Sequence, residues 1–151
     1  MTLNVKRISA PSAAAVVVHG LSDARTVLSV GKPVTLLSAE GAALYAGSGW
    51  WHTLIARATA AYPNVPCHDI LDCADASGLA LGALRIGLQC IILHPSAPGW
   101  AQVAAVAASL RSVVLAQRPA ALDMAQRGAA RRLHDWLQSP TAPGDSGDAV
   151  G

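Results

Sequence analysis

Short runs rich in β-branched and other apolar residues recur along the chain, at positions 15–19 (AVVVH), 34–38 (VTLLS), 69–72 (DILD), 90–94 (CIILH) and 112–116 (SVVLA). Most lack the alternation of a half-buried strand, and nearly continuous apolar runs of this length mark strands covered on both faces of a parallel sheet. Between and after them lie longer segments whose apolar residues return at helical spacing. Trp51, Leu54, Ile55, Ala58 and Tyr62 form such a stripe in a helix over 49–62, with Ser48 at its N-cap position. Trp50 stands about 100° off that stripe. Leu122, Ala125, Ala129, Leu133 and Trp136 or Leu137 form another in a helix over 120–138, with Asp123, Arg127, Arg131 and Asp135 on its other face. Gly31 and Pro33 punctuate the joint between the first helix and the second strand, and Gly87 follows the third helix.

The alternation predicts an α/β protein of five βα units. Five units are too few to close an eight-stranded barrel, so the expected architecture is an open, mostly parallel, Rossmann-like three-layer sheet with right-handed crossovers, in the flavodoxin-like order 2-1-3-4-5. A half-barrel completed by a second subunit is the alternative. The organisation expected is a single domain over 1–138, with 1–14 as an N-terminal arm or edge strand, and a flexible tail over 139–151 rich in Pro, Gly, Ser and Asp.

Composition sharpens this picture in two ways. Of the 151 residues, 52% are hydrophobic and 13% charged, about half the charge of an average soluble chain, so much of the surface must be neutral or hidden. The segment 76–86 (ASGLALGALRI) shows no polar residue between Ser77 and Arg85, and Gly78 and Gly82 would let another backbone approach closely, which makes it the expected contact of a homo-oligomer, a homodimer first of all. The formal net charge is +2 without a basic run, which argues against nucleic acid. No apolar run approaches a membrane span, and 13–18 is too short for a secretory signal, so a cytoplasmic protein with no membrane partner is expected. Cys67, Cys73 and Cys90 are odd in number and follow no metal or redox spacing, so reduced thiols are expected and no cofactor is specified.

Every strand run ends in polar residues: His19, Ser38, Asp72, His94, and Gln117 with Arg118. Parallel α/β sheets bind ligands at the carboxyl ends of their strands, which makes this edge the candidate site. His19, Asp72 and His94 are the candidate catalytic set, since imidazoles titrate near neutral pH and a carboxylate can fix a tautomer. The same three residues could supply two nitrogens and an oxygen to a metal. Ser38, Cys73, Asp75 and Arg118 join them as candidate ligand contacts, with Trp50 and Trp100 as aromatic walls where helices begin at that edge. The competing explanation is helix capping by Ser22 or Asp23, Asp75 and Ser96.

The strand plan, Asp72 at the end of the third strand and "AQRP" closing the fifth resemble a response-regulator receiver, which uses an aspartate and a Lys-Pro at those places. His19 and Gly20 stand where such a domain carries its magnesium-binding acids, and Arg118 stands for the lysine. Three functions are therefore expected in competition: a small-molecule binding domain with His/Asp acid–base chemistry, a regulatory or protein-interaction module, and a homo-oligomeric scaffold.

Overall fold

The computed structural model describes residues 10–138. Positions 1–9 of the expected arm and the 139–151 tail lie outside the described residues, and 10–14 carry no strand. The elements in order are β1 Ala15–Val17, α1 Leu21–Leu28, β2 Val34–Leu37, α2 Ala42–Tyr45, α3 Ser48–Ala61, β3 Cys67–Asp72, α4 Ser77–Arg85, β4 Cys90–Ile92, α5 Trp100–Ser109, β5 Val113–Leu115, β6 Ala121–Asp123 and α6 Ala129–Gln138. The five predicted strands are all present within two residues of their expected bounds. The sixth replaces the predicted first turn of the last helix. Gly128 adopts φ +79°, which a continuous helix over 120–138 could not accommodate, and the chain before it pairs with β1 instead.

All six strands are parallel, in the order β5-β4-β3-β2-β1-β6. The class, the parallel sheet and its openness are as expected, but the order is not 2-1-3-4-5. From β1 to β5 each crossover steps one strand over in the same direction, so crossovers of one hand deposit every helix on the same face. The main core joins Val16, Leu36, Leu71 and Ile91 to Val27, Trp51, Leu54, Leu84, Val103 and Leu133 from the helices. The opposite face is a separate cluster of strand residues alone, Val17, Leu37, Ile70, Cys90 and Ile92, flanked by Val113, Leu115 and Ala121. The sheet is thus covered by helices on one side, two layers where three were expected.

How can the helix-free face bury its side chains? The link from β5 to β6 gives the answer. Laid flat, six strands place the outer two about 24 Å apart. Residues 116–120 allow only six Cα steps between Leu115 and Ala121, about 20 Å at full stretch. The sheet must curl, bringing β5 and β6 toward one another around a shared interior, as in an incomplete barrel. Val113, Leu115 and Ala121 packing on the same inner cluster is the consequence.

α4 is not buried all round. Ala80, Ala83 and Leu84 enter the core, while Gly78, Leu79, Arg85 and Ile86 are exposed. Among the described residues no helix is long and apolar enough to cross a membrane.

Candidate functional site

Side chains two residues apart on a strand share a face. Asp72 lies two beyond Ile70, His94 two beyond Ile92, Gln117 two beyond Leu115, Asp123 two beyond Ala121 and His19 two beyond Val17, all of the latter on the inner cluster. The polar strand ends are therefore the rim of an apolar interior. N-cap side chains do not explain them: the N-cap positions of α1 to α5 are Gly20, Gly41, Gly47, Ala76 and Gly99, none with a side-chain cap bond, although Asp23 in the first turn of α1 accepts the His19 N–H at 2.9 Å.

A cavity of about 580 Å³ opens on this rim, lined by Glu40, Asp72, Ala74, Asp75, Ile92, His94, Ser96, Ala116, Gln117 and Arg118. Its back wall is a closed polar network. Asp72 is 2% exposed; its Oδ2 accepts from Arg118 Nη1 at 2.7 Å and its Oδ1 from the Ala74 N–H at 2.8 Å. Arg118 Nη2 also donates to the Ser38 carbonyl at 3.1 Å, and Ser38 Oγ accepts the Asp72 N–H at 2.9 Å. A buried carboxylate is tolerated only when paired and hydrogen-bonded, and here both conditions hold. The bond to Ala74 also offsets the strain of that residue's φ of +50°. In turn the Ala74 carbonyl receives the His94 N–H at 2.7 Å, locking the β3 and β4 loops together.

His94 presents a defined tautomer. Its Nδ1 accepts the Ser96 N–H at 3.1 Å and lies 2.6 Å from Ser96 Oγ, so the neutral ring carries its proton on Nε2. In this tautomer the imidazole can donate its Nε2–H to an acceptor on a ligand, while Nδ1 is held by Ser96.

The structure brings Asp72, Asp75, His94 and Arg118 to one cavity and leaves the other candidates off its wall. His19 Nε2 bonds Asp123 Oδ1 at 2.7 Å, forming a separate pair. Burial pushes the Asp123 carboxyl up, but the Ala125 N–H, the His19 bond and charge and the Arg118 charge outweigh it and hold the group below its ordinary value. Ser38 acts from beneath, through Asp72. Trp100 donates its indole N–H to the Leu93 carbonyl and packs on the outer core. Trp50 is 38% exposed, its ring 6.0 Å from that of Trp51 and tilted by 44°. Cys73 is buried, and burial with the nearby Asp72 carboxylate pushes its thiol up to about 12, so it is neither a wall residue nor an activated nucleophile. His19, Asp72 and His94 do not form a metal site: among the described residues no three His, Cys, Asp or Glu side chains are grouped to hold an ion. Two residues of the rim carry no strand-end signal in the sequence. Glu40 lies in a loop past the strand end, and Asp123 was hidden in the apparent helix.

The receiver likeness loses support at the same points. Asp72 is enclosed and fully bonded where a phosphoacceptor must be reachable, and the strand order differs. Comparison of the chain with known protein families and with curated proteins finds no match.

Proposed function

We propose that this protein binds a small molecule in the rim cavity, with His94 as a hydrogen-bond donor through Nε2–H and the Asp72–Arg118 pair as the wall that shapes it. The observation that carries the reading is the cavity itself: about 580 Å³, within the range of small-ligand sites, at the strand edge where parallel α/β proteins bind ligands. Its mix of Ile92, Ala74 and Ala116 with a few convergent polar groups is the usual lining of such sites. A fragment screen by NMR on the full chain tests it. Saturable shifts confined to Ala74, His94 and Gln117, lost in His94→Ala, are the expected result; hits scattered over the surface would refute it.

A second reading is self-association through α4. It is supported by Gly78, Leu79 and Ile86, which leave an exposed apolar side on a helix whose opposite side is core. Sedimentation should give a dimer at tens of micromolar that Leu79→Lys dissociates, and a monomer under those conditions removes the reading. A cytoplasmic location belongs to the same proposal, supported by three unpaired cysteines.

A further inference from the structure

Resting on the cavity reading above, we propose that the ligand carries a protonated amine, held between the carboxylates of Glu40 and Asp75. Three carboxylates and one guanidinium line the cavity, and the guanidinium's charge is already paired: Arg118 donates to Asp72 and to the Ser38 carbonyl. An anionic ligand would meet a guanidinium already neutralised by Asp72, beside two further carboxylates. Glu40 and Asp75 are the reverse case, exposed at the mouth and, among the described residues, engaged in no hydrogen bond or ion pair. They come from different loops, after β2 and after β3, and line the same cavity. The sign is also local, since the chain as a whole is positive at +2. Opposite charge at a cleft mouth raises the local concentration of a ligand and orients it. Ile92, Ala74 and Ala116 would take an alkyl portion, and His94 Nε2–H offers a donor to a hydroxyl or carbonyl beyond it.

Three four-carbon probes of different charge decide the matter: 1,4-diaminobutane, butane-1,4-diol and succinate, titrated into the labelled full chain at fixed ionic strength. The diamine should shift the Ala74, His94 and Gln117 resonances saturably and bind at least tenfold more tightly than the other two. Glu40→Gln with Asp75→Asn should abolish at least nine tenths of that affinity while leaving the remaining spectrum unchanged. If succinate or the diol binds the same resonances as tightly, the cation preference is wrong and the cavity reading stands. Diamine shifts spread equally over Asp23 and Asp135 would mean charge screening and overturn the proposal. Should none of the three probes move a cavity resonance, the cation proposal fails, and the fragment screen separately decides the cavity.

Discussion

The two faces of this sheet are built from alternate residues of the same short strands, yet they serve opposite ends. Outward, Val16, Leu36, Leu71 and Ile91 meet six helices in one continuous core. Inward, the strands cover one another by curling, and the apolar cluster ends at a rim of Asp72, His94, Gln117, Asp123 and His19. The outer face is a packing problem solved by volume. The inner rim is an electrostatic one, in which each buried polar group needs a named partner. Substitutions on the two faces should therefore fail in different ways.

The largest effect should come from the outer face. Trp51 is wholly buried, and its indole N–H donates to Asp69 Oδ2 at 3.0 Å. Trp51→Ala should cost about 3–5 kcal/mol in urea unfolding, as cavity formation at a large aromatic does. On the inner rim, Arg118→Met strands the buried Asp72 carboxylate; because the arginine is partly exposed, a loss of about 2 kcal/mol is expected. The test of mechanism is the double variant Asp72→Asn with Arg118→Met, which should recover part of that loss. If it is worse than Arg118→Met alone, the pair does not act through charge compensation.

A third prediction concerns pH. Burial pushes the Asp69 carboxyl above its ordinary value, against the opposing pull of the Trp51 N–H and the charges of His52 and His68. The native state then holds this proton more tightly than the unfolded chain, so stability falls as pH rises from the ordinary carboxyl value through the raised one. Asp69→Asn keeps an acceptor for Trp51 and should remove that slope, leaving the variant more stable than the parent at neutral pH. A parent-minus-variant stability difference that rises through the same window would contradict the assignment. The smallest effect is expected at Trp50: Trp50→Ala should cost below about 1 kcal/mol, since the ring is largely outside the core. A loss matching Trp51→Ala would break the division between adjacent tryptophans.

Much of this was legible beforehand. The five strand runs announced themselves because strands with two covered faces need apolar residues on both, and Trp51 was separable from Trp50 by helical spacing alone. The polar residue closing each run pointed to the rim. Asp72, Asp75, His94 and Arg118 do line one cavity, whereas His19 turns to Asp123, a partner 104 residues away on a strand whose sequence carries helical spacing. ALDMAQRGAARRL supports either reading locally: its apolar spacing suits a helix, and only pairing with β1 and the positive φ of Gly128 select a strand followed by a new helix start.

By itself the sequence determined the first five strands and the core stripe of the Trp51 helix, because burial pattern and turn chemistry are local properties. Strand order, the single helical layer and the curl were decided only in three dimensions. They follow from the direction each crossover takes and from a link at 116–120 too short to span a flat sheet, and neither leaves a mark in periodicity. The same closure sets Arg118 of that link against Asp72, so the wall of the candidate site is a product of the tertiary fold.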